Sequence, residues 1–234
     1  MTNCNCCGTA EQSDDSEIRE RATDGGSETT GDGHGWPRTT GSSADGEPVT
    51  ERSLSDDVGR ALGDLFGTSP PATFGDWIDD VHEALDEEEW MPPRVQDLCH
   101  DADGKHLART PNQSYRFICV LDAFALHALV DEPVTVESSV PGGGEVTLRV
   151  SDGGVATDPS TTVLSFGAAA DPDLPDERSP ALAYGQTCPY IHAFPTRASY
   201  ESWDESTPDG VTTVVSPREA RDLAAALVEG TEGT

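Results

Sequence analysis

Valine and threonine alternate along four consecutive segments in the middle of the chain, and this alternation strongly limits the folds available to it. The segments are EPVTVES, GEVTLRVS, GGVAT and TTVLSFG. A period of two residues places every second side chain on the same face of a strand. The PGGG and SDGG stretches between them supply the residues that tight hairpin turns require. The pattern therefore predicts a β-sheet built from antiparallel hairpins.

Helical patterns flank this sheet on both sides. Before it come LSDDVGRALGDLF and FGDWIDDVHEALDEEEW, separated by a turn at SPPAT, with Ser55 and Thr73 as expected N-caps. After it, SYESWDEST is predicted to be helical, and SPREARDLAAALVEG is a closing helix with Ser216, Pro217 and Glu219 in its capping positions. The stretches LARTPNQSYRF, TCPYIHAF and VTTVVS are predicted to be extended.

This order of elements divides the chain into three regions and indicates an α+β fold. Residues 1–48 are rich in Gly, Ser, Thr and acidic residues, so we expect a disordered acidic tail that begins with MTNCNCC. Residues 49–110 are predicted to form a helical domain. Residues 111–234 are predicted to form a domain with a mixed or antiparallel β-sheet and flanking helices.

The charge of the chain excludes some classes of partner. The formal net charge is −30, and Lys105 is the only lysine. This composition is typical of proteins from salt-loving archaea, because concentrated salt screens the repulsion between carboxylates. It argues against nucleic acid and anionic membranes as partners, since both need clusters of Lys and Arg. The sequence shows neither a signal peptide nor an apolar run long enough to span a membrane, so we expect a cytoplasmic protein.

An aspartate interrupts the most apolar stretch of the chain, YRFICVLDAFALHALV at residues 115–130. The spacing of the apolar residues there predicts a buried helix. An unpaired ionised carboxylate is costly in such a place, so Asp122 caps a helix end, pairs with Arg116, or holds a proton that the protein uses. Cys119 precedes Asp122 by three residues, and residues three apart share a helix face, so we expect the thiol and the carboxyl to point into the same space.

The cysteines are the other candidates for chemistry. In a reducing compartment they are better explained as ligands or nucleophiles than as a disulfide framework. Cys119 and Cys188 lie in the β-rich half, and two thiolates suit soft ions such as Hg(II) and Cu(I). For each of them the alternative is a small buried hydrophobic residue, and this is our interpretation of Cys99.

Three further cysteines, Cys4, Cys6 and Cys7, lie in the predicted tail. A disordered tail gives thiols no packing role, so their clustering predicts that they handle metal. His127 and His192 are interpreted as structural histidines.

CVLD, beginning at Cys119, is followed by VTVES, and CPYIHAF, beginning at Cys188, is followed by an S-W-D helix and by VVSPREA. Taken in order, these motifs resemble the organomercurial (alkylmercury) lyases. The resemblance covers about residues 85–230. It implies that Cys119 and Cys188 bind mercury, that Asp122 is the catalytic acid, and that residues 49–110 correspond to a winged-helix-like region.

The activity implied by the resemblance is protonolysis of a carbon–mercury bond to give a hydrocarbon and Hg(II), which detoxifies organomercurials. Two thiolates push electron density onto mercury, while Asp122 accepts a proton from a cysteine and returns it to carbon. No cofactor is expected, because mercury arrives with the substrate. The implied acceptor of Hg(II) is a low-molecular-weight thiol or a mercuric reductase.

A non-catalytic binder or carrier of mercury or copper with the same fold is the alternative. Such a carrier would need the thiols but would have no use for Asp122. A DNA-binding winged helix at residues 49–110 is disfavoured by the shortage of basic residues.

Overall fold

The described part of the chain, residues 48–85, 93–172, 174 and 180–229, forms helices and antiparallel sheets in a computed structural model. The α-helices are α1 (Asp56–Phe66), α2 (Phe74–Leu85), α3 (Val120–Val130), α4 (Pro180–Thr187), α5 (Arg197–Glu205) and α6 (Pro217–Glu229). The strands are β1 (His106–Arg109), β2 (Ser114–Phe117), β3 (Val134–Ser139), β4 (Glu145–Ser151), β5 (Gly154–Asp158), β6 (Val163–Ala169), β7 (Ala193–Phe194) and β8 (Gly210–Val215). The α+β class predicted from the sequence is confirmed.

The larger sheet contains the predicted hairpins. Its strand order is β2-β1-β3-β4-β5, and each neighbouring pair is antiparallel. Gly142, Gly143 and Gly144 connect β3 to β4 with positive φ angles, and Gly154 does the same at the start of β5. Glycine adopts this backbone region without the steric penalty of a Cβ atom. A smaller antiparallel sheet has the order β7-β6-β8.

The expected helix starts are present. Ser55 is the N-cap of α1. Before α2, the Asp76 N–H donates to the Thr73 hydroxyl at 3.1 Å. At α6 the Ser216 N–H donates to the Glu219 carboxylate at 2.6 Å, and the Glu219 N–H donates to the Ser216 hydroxyl at 3.2 Å. This reciprocal pair is the capping box predicted for the closing helix.

The extended stretch predicted over TCPYIHAF is largely wrong. Thr187 ends α4, where its hydroxyl donates to the Ala183 carbonyl at 2.8 Å. Cys188–Tyr190 forms a 3₁₀ turn, and only Ala193–Phe194 pairs as a strand. Pro189 offers no N–H to a β-ladder, which favours the turn.

Helix α3 lies at the centre of the fold. Its residues from Val120 to Leu126 are all buried, and the helix packs against β1, β3 and α6. A helix covered on several sides needs apolar residues around most of its circumference. This explains the continuous apolar run in which Asp122 occurs.

The helices α1 and α2 share a core with the smaller sheet. Phe74 and Trp77 pack edge-on against Phe166 of β6, with ring centroids 5.0 and 4.9 Å away. Arg52 forms an ion pair with Glu219 of α6 at 2.7 Å. The N-terminal helices are thus fixed to the sheet and to the last helix.

Strand β1 pairs with both β2 and β3. The predicted boundary between residues 110 and 111 therefore falls in the turn between two paired strands. The division into a winged-helix-like domain and a catalytic domain stays a prediction, and the tail at residues 1–47 lies outside the described residues. Across the described ranges, no helix has both the length and the apolar character needed to cross a membrane.

Candidate active site

Three buried cysteines meet at the N-terminal end of α3: Cys99, Cys119 and Cys188. The Val120 N–H donates to the Ile191 carbonyl at 3.2 Å, which joins the start of α3 to the segment after the 3₁₀ turn. On the other side of the helix start, the Ile118 N–H donates to the Cys99 carbonyl at 3.1 Å. These two backbone bonds hold segments that are distant in sequence around one helix end.

Cys119 is the N-cap residue of α3 and is 2% exposed. Burial raises the pKa of its thiol, a hydrogen bond with the Cys188 thiol opposes this, and the Asp122 carboxyl raises the pKa further. The backbone amides of Leu121 and Asp122 lower it, but the net direction is upward. The thiol is therefore protonated at rest. Once a metal replaces the proton, the amides at the helix start favour the thiolate.

Cys188 is the central thiol of the three. Hydrogen bonds with the Cys119 and Cys99 thiols, followed by burial, raise its pKa well above the ordinary value. The turn that carries Cys188 is held against β6, because the Ser165 hydroxyl donates to the Tyr190 carbonyl at 2.8 Å. Because Cys188 has a thiol partner in both Cys119 and Cys99, it can exchange a metal ion with either of them.

Asp122 lies in the first turn of α3 and is 8% exposed. Its Oδ2 accepts the Cys99 N–H at 3.3 Å. Burial raises the pKa of the carboxyl from 3.8 to about 7, and the bond from Cys99 only partly offsets this. The N-cap alternative for Asp122 is wrong because Cys119 has that position. Within the described residues, Arg116 donates to the Gly104 carbonyl and makes no ion pair with Asp122.

The interpretation of Cys99 as a core residue misses its place in the site. Its side chain is buried as expected, at 3% exposure. However, its Sγ, the Cys188 Sγ and an Asp122 carboxylate oxygen all lie within 4.8 Å of one another. The local sequence DLCHDADG contains no signal for this position. The position of Cys99 is set by a long-range β-bridge in which His100 pairs with Phe117.

Tyr184 on α4 adjoins the same site. Burial raises the pKa of its phenol above the ordinary value, and the nearby Asp122, Cys188 and Cys99 raise it further. The phenol and the Cys119 and Cys188 thiols are therefore uncharged at neutral pH. A site of low charge and little water strengthens the electrostatic interactions inside it and limits proton leakage to solvent.

The histidines form their bonds mainly with the backbone. His127 Nδ1 lies 2.8 Å from the Glu132 carbonyl, and His192 Nε2 lies 2.7 Å from the Pro189 carbonyl. The His192 Nδ1 and the His106 Nε2 are buried and have no hydrogen-bond partner in the described part of the chain. Burial lowers the pKa of both rings, that of His106 to about 3. Both rings are therefore neutral near pH 7.

The arrangement suits a reaction that couples a soft metal to a proton. Thiols in mutual contact can exchange their protons for a soft ion such as Hg(II), and a carboxyl whose pKa is near 7 can receive and pass on one of those protons. Cys119, Asp122 and Cys188, selected from the sequence, lie together at this place. Cys4, Cys6 and Cys7 lie outside the described residues.

Comparisons with known proteins cover most of the described region. The family model described as MerB: Alkylmercury lyase matches residues 101–229, which include Cys119, Asp122 and Cys188 but not Cys99. No curated protein matches. Among solved structures, the crystal structure of the mercury-bound form of MerB2 is similar, with 16% identity, a TM-score of 0.46, and coverage of 76% of this chain and 82% of that chain. Because the family model spans more than half of the sequence, the chain belongs to the alkylmercury lyase family.

Proposed function

We propose that this protein is an organomercurial lyase that cleaves carbon–mercury bonds by protonolysis and releases a hydrocarbon and Hg(II). The observation that carries the proposal is the buried Asp122 carboxyl, whose pKa is about 7: it lies in the first turn of the helix that begins after Cys119, and one of its oxygens lies within 4.8 Å of the Cys188 Sγ. All three residues lie within the stretch that matches the family.

The first step binds the substrate, written R–Hg–X, where R is the organic group. One thiol of the Cys119–Cys188 pair displaces X, so a sulfur–mercury bond forms, the mercury–X bond breaks, and the thiol proton leaves with X as HX. The second thiol then binds mercury and passes its proton to the Asp122 carboxylate. With each thiolate that binds, mercury becomes more electron-rich and the carbon attached to it becomes more carbanion-like.

The next step breaks the carbon–mercury bond. Its electron pair moves to carbon, and Asp122 delivers its proton there to form R–H. Hg(II) remains bound to the two thiolates, and Asp122 is again a carboxylate. No change of oxidation state is needed at mercury or at the protein.

The raised pKa of Asp122 suits both halves of this cycle. A carboxyl at the ordinary value of 3.8 would give up its proton to water near neutral pH, whereas one at about 7 both accepts and donates. Burial is the main cause of the shift. The same apolar surroundings favour substrates whose organic group R is a hydrophobic alkyl or aryl group.

We extend the proposal to the setting of the reaction. A low-molecular-weight thiol or a mercuric reductase would take Hg(II) from the two thiolates. The charge of −30 supports a cytoplasm with concentrated salt, as in a salt-loving archaeon, and argues against nucleic acid or an anionic membrane as a partner.

We also propose a role for Cys4, Cys6 and Cys7. Three thiols within four residues provide a soft-metal ligand set on the same chain as the active site. They would capture substrate or remove Hg(II), with no part in breaking the carbon–mercury bond. A tethered ligand set acts through its raised local concentration.

Hydrocarbon release tests the lyase function. Protein in molar salt and in excess over methylmercury is assayed for methane in the headspace and for mercury bound to protein. Cys119→Ser and Cys188→Ser should each lose methane release, because an alcohol is a poor ligand for a soft metal and is not ionised near neutral pH. The control protein carries Ser at positions 4, 6 and 7 and keeps both Cys119 and Cys188. If the unaltered protein binds mercury and releases no methane, it is a carrier and the lyase proposal is wrong.

A further inference from the structure

The proposed reaction leaves one thiol of the site without a role. The Cys99 thiol shares a hydrogen bond with Cys188, as the Cys119 thiol does. Its Sγ lies within 4.8 Å of the Cys188 Sγ and of an Asp122 oxygen. Three thiols and a carboxyl are thus grouped where two thiols and a carboxyl suffice for cleavage.

The backbone holds Cys99 in this place from two sides. Its N–H donates to Asp122 Oδ2 at 3.3 Å, and its carbonyl accepts the Ile118 N–H at 3.1 Å. The second bond is to the residue before Cys119, so Cys99 is fixed relative to both the acid and the first thiol. The backbone thus holds Cys99 where its Sγ lies within 4.8 Å of the Cys188 Sγ, next to any ion that Cys188 binds.

We propose that Cys99 is a third thiolate ligand for product Hg(II), which converts the two-thiolate complex on Cys119 and Cys188 into a three-thiolate complex. Hg(II) accepts both linear and trigonal thiolate coordination. The identity of the ion as a reaction product rests on the proposed function. The ligand set itself does not, since Hg(II) supplied as a salt would be held in the same way.

The protons balance without a further reactant. When Cys99 binds, its S–H bond breaks and a sulfur–mercury bond forms. The proton passes to Asp122, which is a carboxylate at this stage because it has just protonated carbon. Ligation by Cys99 thus holds the product and returns a proton to the acid. Cys99 lies just before the stretch that matches the family, so the family match does not assign it this role.

Sulfur counting on mercury-loaded protein tests the proposal. The full chain with Ser at positions 4, 6 and 7 is loaded with one equivalent of mercuric chloride in molar salt, and X-ray absorption gives the number of sulfur ligands and the mercury–sulfur distance. We expect three sulfurs at the longer distance of a trigonal site. Cys99→Ser should leave two sulfurs at a shorter distance and should speed transfer of Hg(II) to external dithiothreitol by about tenfold or more, the scale of losing a group that supports a metal site.

Cys99→Ala serves as a second variant beside Cys99→Ser, and both keep the backbone N–H that donates to Asp122. Circular dichroism in molar salt checks the fold of each. Two sulfurs in the protein that retains Cys99 would overturn the proposal without reference to any variant. Three sulfurs in Cys99→Ser would overturn it as well.

The result is separable from the lyase function, because loading with a mercuric salt requires no bond cleavage. Three sulfurs in a protein that releases no hydrocarbon would refute the lyase function and support ligation by Cys99. Two sulfurs in a protein that does release hydrocarbon would refute the role of Cys99 and leave the lyase function standing.

Discussion

Replacing Asp122 by Asn removes the transferable proton while keeping the size and the acceptor oxygen of the side chain. The amide oxygen can still accept the Cys99 N–H, which is a backbone donor and is unaffected. Both thiols of the Cys119–Cys188 pair remain, so organomercurial should still bind. Hydrocarbon release should fall by roughly 10²-fold or more, the usual scale for the loss of a general acid.

The same substitution should change the pH dependence of stability. The pKa of Asp122 is 3.8 in the unfolded chain and about 7 in the folded protein, so above pH 3.8 the folded state binds a proton that the unfolded state has lost. The unfolding free energy of the wild type therefore falls as pH rises from about 4 through 7. The full difference corresponds to roughly 4 kcal/mol at about 1.4 kcal/mol per pH unit.

Urea unfolding in molar salt, measured near pH 5 and near pH 8, gives the size of this effect. Over that interval the wild type should lose roughly 2 to 3 kcal/mol of unfolding free energy relative to Asp122→Asn. His106 and His192, whose pKa values are lowered, contribute with the opposite sign at acid pH. They do so equally in both proteins, and their contribution cancels in the difference.

Asp103→Asn is the matched control. It removes the same charge from an exposed side chain, so its unfolding free energy should follow that of the wild type at both pH values. If Asp122→Asn releases hydrocarbon at the wild-type rate, the proton comes from another group. If its stability follows the wild-type curve with pH, the Asp122 carboxyl is ionised in the folded protein and the reasoning from burial fails.

Four further predictions follow from packing, charge and exposure. Gly167→Ala should lower the unfolding free energy by about 1–3 kcal/mol, because a Cβ would lie 2.0 Å from the Val211 carbonyl oxygen. A Cβ at Gly185 would meet nothing within 4 Å, so Gly185→Ala should raise the unfolding free energy by roughly 0.5–1 kcal/mol. Equal urea midpoints for the two variants would contradict this. Dialysis from molar to about 0.01 M salt lengthens the Debye length from about 3 to about 30 Å and should unfold the protein, and an unchanged circular dichroism spectrum would count against the halophilic origin. With the tail cysteines replaced by Ser, the three site thiols should react with a disulfide reagent far more slowly in native buffer than in urea, and equal rates would show that they are exposed. Deleting residues 1–40 should slow multiple turnover at low external thiol more than it slows a single turnover; an equal loss in both would place the tail in the cleavage step.

The sequence alone determined the elements whose causes are local. Alternation of Val and Thr, the glycines at positions 142–144 and the capping box of Ser216 and Glu219 each act over a few residues, and the structure has the strands, turn and helix start that they predict. Cys119 and Asp122 are three residues apart, so their proximity is local as well. The reason differs from the one expected: Cys119 occupies the N-cap position of α3, and Asp122 lies within the first turn.

Tertiary structure alone decided which other groups lie beside Cys119 and Asp122. Cys99 and Cys188 are far from Asp122 in sequence, and they reach it through the bridge of His100 with Phe117 and the bond from Val120 to Ile191. Such contacts depend on how sheets and helices pack, which no short pattern encodes. The pKa of Asp122 is decided in the same way, because desolvation of a carboxyl is the sum over every side chain that replaces water around it.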